Sequence, residues 1–174
     1  IIQADLASQG GLIQALGLTQ TMRWLETKIP PPIVMLLMGV AAFGIARLTP
    51  ALSFGLPSRA FIAGFLVLAG LALNLLPKLA FQRAGTTVNP LKPASTTALV
   101  TTGIYRHTRN PMYLGQSVVL MGWVLYLHSI AALVVVPVFM LYITRFQFLP
   151  EEQHLSASFP EEYAAFSRQA PRWL

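Results

Sequence analysis

Between Glu26 and Glu151 the chain carries no acidic residue, and three stretches inside that interval carry no charge at all. Ile29 to Ala46 and Ala60 to Pro77 are 18 residues each, and Asn110 to Thr144 is 35 residues with His128 neutral. About 20 apolar residues rising 1.5 Å each cross a hydrocarbon layer of about 30 Å, so the first two runs each fit one membrane helix. The third would reach about 52 Å as a single helix, too long for one crossing. It is expected to fold back as a hairpin, with the turn at Leu127-His128-Ser129, its most polar point. Four spans follow, roughly 31–48, 60–77, 111–127 and 130–149, several short enough to require tilt or local thinning. Pro30, Pro31 and Pro32 stand at the start of the first span, where missing N–H groups cost little. No alternating strand pattern appears, so a Rossmann-type nucleotide domain is unsupported. The expected fold class is an all-α integral membrane protein. It is read as a single membrane domain over 1–174: an interfacial segment 1–29, spans one and two over 31–77, a connector 78–110, spans three and four over 111–149, and a tail 150–174.

Composition agrees. Charged residues make up 10% of the chain, where a soluble domain has about 25%, and mean hydropathy is +0.60. The net charge of +6 comes from basic residues that bracket the apolar runs. Arg23, Lys28, Lys78, Arg83, Lys92, Arg106, Arg109, Arg168 and Arg172 fall in the N-terminal segment, the connector and the tail; little beyond Arg47 and Arg59 falls on the opposite side. The positive-inside rule then places both termini and the connector in the cytoplasm. Leu12, Ile13, Leu16, Met22 and Leu25 suit an interfacial amphipathic helix, and an additional partial span there is a weaker alternative. No signal peptide is expected. The absence of cysteine excludes disulfides and thiolate chemistry. His107, His128 and His154 share no helical ligand spacing, so no metal is expected. No nucleic-acid motif is present, so no nucleic-acid partner is expected.

Two groups of residues stand out from the apolar background. The connector leads through Gly103-Ile104-Tyr105-Arg106-His107-Thr108-Arg109 to Asn110-Pro111-Met112-Tyr113-Leu114-Gly115, which puts two arginines just before a proline that opens a span. They either anchor the helix by the positive-inside rule or form an anion site at a helix start. In the fourth span Tyr142, Arg145, Leu149 and Glu152 recur at heptad-like spacing and share one face if the helix continues past Pro150. Arg145 either snorkels or joins a site. Glu151-Glu152 is a solvated helix end or an acidic wall. Tyr113 and Gln116 share a face of span three and, across the hairpin, can meet Tyr142 and Arg145; Gln116 is otherwise an interhelical hydrogen-bond former. The tail, with Leu155, Phe159, Tyr163, Phe166 and Trp173, is an interfacial helix or a lid over the cytoplasmic mouth.

Taken together, Gly103-Ile104-Tyr105-Arg106, Arg109-Asn110-Pro111-Met112-Tyr113-Leu114-Gly115, Glu151-Glu152, Leu155, Phe159, Tyr163 and Pro171-Arg172-Trp173 resemble the isoprenylcysteine carboxyl methyltransferase family. More distantly they resemble the membrane phospholipid methyltransferases. Arg83 to Pro90 looks like the bacterial branch, which implies a bacterial inner membrane. The resemblance covers about residues 80–174. It departs at Asn110, where many members have His, and at Phe159-Pro160, where Phe-Gly is usual. It implies S-adenosylmethionine as methyl donor, held between the last two spans and the tail. Tyr105, Arg106, Arg109, Asn110, Pro111, Tyr113, Leu114, Gln116, Glu151, Glu152 and Tyr163 are the implied cofactor residues, and Glu152, Arg172 and Arg145 the catalytic candidates. A carboxylate suits a ribose diol, an arginine or free N–H groups suit the donor's carboxylate, and aromatic faces suit a sulfonium. The implied acceptor is lipophilic, a prenylcysteine-like carboxylate or a lipid amine, entering from the membrane lipids. Alternatives are an NADPH-dependent sterol-type reductase, which usually has more spans, and a four-span transporter or scaffold, which predicts mid-membrane charges that the runs before Arg145 lack.

Overall fold

The computed structural model describes residues 28–53, 55, 58–83 and 99–174. The segment read as interfacial, with Leu12, Ile13, Leu16, Met22 and Leu25, and the connector from Ala84 to Pro90 and on to residue 98 lie outside the described residues. Among the described residues six helices carry the architecture: α1 Pro31–Leu48, α2 Arg59–Arg83, α3 Pro111–Leu127, α4 Val135–Ile143, α5 Leu149–Ser158 and α6 Pro160–Gln169. Three of the described helical stretches are long and apolar enough to cross a membrane: α1, Arg59–Leu79 of α2, and the continuous run Ala131–Ser158 that contains α4 and α5. α3 is a shorter apolar helix of 17 residues. Among the described residues there is no strand, only a single bridge between Ser53 and Ser129.

The helix starts follow from proline. Pro31 and Pro111 take the first positions of α1 and α3, where a helix has no use for their missing N–H. The hairpin turn falls where polarity predicts. α3 stops at Leu127, and His128 caps it in the left-handed conformation at φ 41°. The Ile130 N–H then donates to the Leu52 carbonyl at 2.9 Å, so the hairpin turn and the α1–α2 loop meet at one end of the bundle. The start of α1, the end of α2, the start of α3 and the end of α4 therefore gather at the other end.

Leu36, Leu37 and Val40 on α1, Phe61, Phe65 and Leu68 on α2, and Val138 and Leu141 on α4 point outward. Such surface suits lipid, where outward apolar side chains cost nothing and helices satisfy every backbone group internally. Inside, Val34, Ala42, Leu120, Val124, Val135, Phe139 and Ile143 form the core.

The chief neighbour of α3 is α2, packed along its length, although the hairpin also brings α4 beside it. Small residues explain that choice. A Cβ on Gly115 would lie 2.6 Å from the Gly70 carbonyl oxygen and 2.5 Å from Asn74 Nδ2, and one on Gly122 would lie 3.0 Å from the Ala63 carbonyl. Ala63 and Gly70 on α2 thus face Gly122 and Gly115 on α3 at matching seven-residue spacing. Without a hydrophobic drive between helices in lipid, such close approach supplies the packing energy. Trp123 Nε1 donates to the Gly39 carbonyl at 3.0 Å and ties α1 to the same helix.

The heptad face expected from Tyr142 through Arg145 and Leu149 to Glu152 is not kept. Thr144–Phe148 winds as a π turn. Pro150 has no N–H to close the α-helical bond to residue 146, and the wider turn slips the register by about one residue. Phe148 is thereby turned inward, to 1% exposure.

Candidate functional site

The gathered end of the bundle holds a connected set of charges and aromatic rings. Gly103–Arg106 forms a 3-10 turn, with Gly103 at φ 67°, that buries Tyr105 and leads to α3. Thr108, 1% exposed, accepts the Asn110 N–H on its hydroxyl at 3.2 Å. The Asn110 carbonyl in turn accepts the Leu114 N–H at 3.0 Å. This local knot aims Arg109 across the bundle end toward α5.

Arg109 Nη1 donates to Glu152 Oε1 at 2.7 Å and to the Tyr163 hydroxyl at 3.1 Å. Arg172 Nη2 reaches the other oxygen of Glu152 at 2.8 Å. Glu152 and Arg109 are 15% and 14% exposed, while Arg172 is 40% exposed. One carboxylate is thus held between two guanidiniums. Burial, and next the nearby Glu152, raise the Tyr163 phenol above its usual range against the opposing pull of Arg109. It stays a neutral hydroxyl, able to accept from Arg109 and donate to Glu152.

Next to this cluster Tyr113 donates its hydroxyl to Glu151 Oε1 at 2.7 Å. Burial, with Glu151 second, holds the Tyr105 phenol far above its ordinary value. The Tyr113 ring lies 6.0 Å from Phe148, and Trp173 meets Phe148 edge-on at 5.7 Å. Arg172 lies over the face of Phe148 at 5.5 Å. The chain end is drawn in by its backbone as well: the Arg109 N–H donates to the Pro171 carbonyl at 3.0 Å, and the Thr108 hydroxyl faces the Arg172 carbonyl at 3.5 Å. Residues 170–173 therefore form a strap across the bundle end.

The structure brings together Arg109, Tyr113, Glu151, Glu152, Tyr163 and Arg172, with Tyr105 adjoining. Asn110 and Pro111 form the start of α3 by backbone alone, since Asn110 makes no side-chain cap. Leu114 is half-buried, its N–H engaged by Asn110. Gln116 is buried a turn deeper, and its Oε1 has no donor among the described residues. Arg106 stands apart from the charged cluster. It is exposed, lining an open groove of about 390 Å³ with Thr101, Thr102, Tyr105 and Phe166. Arg145 sits half-buried in the π turn, its guanidinium 5.4 Å from the Phe146 ring centre.

Three participants were not singled out from the sequence: Thr108, Phe148 and the Pro171 carbonyl. Phe148 had no polar signal in an apolar run, and a carbonyl has none in any sequence. A further buried amide, Gln147, is 0% exposed; its Nε2 donates to the Ile29 carbonyl at 2.8 Å and fastens the start of α1 to the π turn. Among the described residues no group of His, Asp and Glu is placed to hold a metal.

The described residues form an all-helical membrane bundle with a cluster of charged and aromatic side chains at one end, the class of a membrane protein with a polar site at its surface. Residues 58–162 match the phospholipid methyltransferase family, and the match covers more than half of the chain. The chain belongs to that family and is a membrane methyltransferase. Over 63 residues it is 36% identical to an uncharacterised protein of Haemophilus influenzae; the aligned stretch is 36% of this chain and all of that protein. No solved structure matches the chain significantly.

Proposed function

We propose that the protein transfers a methyl group from S-adenosylmethionine to a lipophilic acceptor, a prenylcysteine-like carboxylate or a lipid amine, at the cytoplasmic face of a bacterial inner membrane. The observation that carries this reading beyond family membership is the Arg109–Glu152–Arg172 cluster, which joins α3, α5 and the terminal strap at one bundle end.

The residues fit the donor by their chemistry. Arg109 Nε is buried without an acceptor among the described residues, although the same guanidinium is otherwise hydrogen-bonded. A buried donor left unmade costs free energy, and an anionic ligand group relieves that cost. In this reading Arg109 and Arg172 hold the donor's carboxylate and Glu152 its ribose hydroxyls. Tyr105, Tyr113 and Tyr163 supply aromatic faces for the sulfonium and the adenine. The open groove beside Tyr105 and Arg106 has the size of a ligand pocket. Asn110, Pro111 and Leu114 shape the helix start, and Gln116 offers a buried carbonyl from below. Arg172, rather than Arg145, is the second cation beside Glu152.

When bound, the donor supplies an activated methyl group on a positively charged sulfur. The protein's contribution is alignment and exclusion of water, which supply much of the rate of an in-line displacement. α3 is read as a fourth crossing, about 26 Å long and tilted or thinning the bilayer. The basic residues at the site end then face the cytoplasm by the positive-inside rule.

Calorimetry in detergent with S-adenosylhomocysteine tests the proposal. Wild type is expected to bind it, with Glu152→Gln and Arg109→Ala at least about tenfold weaker. Equal affinity in all three proteins would falsify the site. Binding of NADPH instead of S-adenosylhomocysteine would replace the proposal with the reductase reading.

A further inference from the structure

Phe148 enters the charged cluster by way of the π turn. Thr144–Phe148 takes the wider winding, and the ring is carried inward to 1% exposure. Tyr113 stands beside it at 6.0 Å, and Trp173 meets it edge-on at 5.7 Å. A cation lies over it as well, the Arg172 guanidinium, 5.5 Å from the ring centre. An aromatic face attracts a cation within about 6 Å of its centre, and more strongly where water is excluded. This face is therefore built and placed to hold positive charge.

Arg172 is the loosest cation of the group. It is 40% exposed, against 14% for Arg109, and it stands on the strap rather than on a helix. Its ion pair engages Glu152 Oε2 at 2.8 Å, and a pair exposed to that degree holds weakly. One swing of the Arg172 side chain toward water thus uncovers both the face of Phe148 and an oxygen of Glu152. A sulfonium joined to a ribose needs the same two partners, an electron-rich face for the positive sulfur and an acceptor for the hydroxyl groups.

We propose that Phe148 is the seat of the donor's positive charge and that Arg172 competes with the donor for it. The inference rests on the methyl-transfer reading given above and adds a residue to it. Guanidinium and sulfonium are both cations, and one ring face holds one of them. S-Adenosylhomocysteine carries the same carboxylate, ribose and adenine on a neutral sulfur, so it leaves Arg172 over the ring. Phe148 and Arg172 together therefore set how strongly the charged donor is preferred over the neutral product. Once the sulfur is neutral Arg172 takes the ring back, and the product is held less tightly than the donor.

Calorimetry in detergent, with no acceptor added, measures the affinities of S-adenosylmethionine and S-adenosylhomocysteine for wild type, Phe148→Leu, Arg172→Gln and the double variant. Phe148→Leu keeps an apolar side chain in the core and removes the aromatic face; Phe148→Met takes its place if that variant does not fold. The loss of the face is expected to lower the preference for S-adenosylmethionine about fivefold or more. Arg172→Gln weakens both ligands alike at their carboxylate, and removal of the competing cation is expected to raise the preference about threefold or more. In the double variant that gain is expected to vanish, because no face is left to compete for. A wild-type preference in the Phe148 variant would make the ring a packing element and overturn the proposal. An unchanged or lower preference in Arg172→Gln would overturn it as well. So would a gain that persists in the double variant, which would show repulsion between two cations through space rather than competition for the ring. Binding of neither ligand by wild type would overturn the methyl-transfer reading itself, and this proposal with it.

Discussion

Arg109 and Glu152 meet at 2.7 Å across 43 residues of sequence, and that one contact closes the end of the bundle. It joins the start of α3 to the start of α5, with Tyr163 of α6 on the same guanidinium nitrogen. Removing one member of a largely buried ion pair strands the other charge. Glu152→Gln leaves both Arg109 and Arg172 without their anion, so its cost exceeds that of a surface pair. An expected loss of about 2–3 kcal/mol follows from the buried-pair range, discounted for the partial exposure of the group. Arg172→Ala, at the more exposed end of the cluster, is expected to cost under about 1 kcal/mol. Chemical unfolding in detergent gives both values, and the reverse order would show that the strap rather than α3 holds Glu152.

The close approach of α2 and α3 makes a separate prediction. Gly115→Ala forces a Cβ to within 2.6 Å of a backbone oxygen, a contact that a side-chain shift cannot relieve. The helices must separate, and a loss of more than about 2 kcal/mol is expected from overpacking. Gly64→Ala, on α2 with nothing within 4 Å of its added Cβ, is the control. It is expected to be neutral or to gain up to about 1 kcal/mol from helix propensity. Equal effects of the two substitutions in thermal unfolding would remove the small-residue explanation of the packing.

The first two membrane helices were legible because charge is costly in lipid, so the limits of the uncharged runs fall close to the ends of α1 and of the apolar part of α2. The hairpin turn at His128 was legible for the same reason. The neighbour relations were not. In water a buried face differs from an exposed one by polarity, whereas here the face of α2 that meets α3 and the face that meets lipid are both apolar. The remaining signal was size, Ala63 and Gly70 opposite Gly122 and Gly115. The π turn was foreshadowed only by Pro150, and a shift of about one residue sufficed to break the expected face. Arg106 and Arg109 looked equivalent in sequence. A 3-10 turn followed by the Thr108 knot separates them, leaving one exposed and one in the cluster.

Trp123→Phe tests the end of the bundle remote from the site. A six-membered ring remains to stack on Tyr126, and the pyrrole edge of the indole is lost together with its hydrogen bond to the Gly39 carbonyl. A cost of about 0.5–1.5 kcal/mol is expected, with S-adenosylhomocysteine affinity unchanged. A loss of affinity would show that the position of α1 is transmitted to the charged cluster.

Tyr163→Phe keeps the ring against Phe166, 6.4 Å away, and removes the hydroxyl from Arg109. The hydroxyl is expected to contribute about 1 kcal/mol, in the range for a hydrogen bond with a charged partner reduced by partial exposure. Its pH dependence has a definite sign. Burial raises the phenol above its ordinary value of 10 in the folded chain. The folded state therefore favours the protonated form, and its contribution is full below the unfolded pKa. It is lost as pH rises through the higher folded value. The difference in unfolding free energy between wild type and Tyr163→Phe is expected to stay constant from pH 6 to pH 9, in a range far below that titration, and to shrink only above about pH 10. A difference that already grows between pH 7 and pH 9 would mean that Arg109 wins over burial, pulls the phenol's titration below its ordinary value and holds it as an anion.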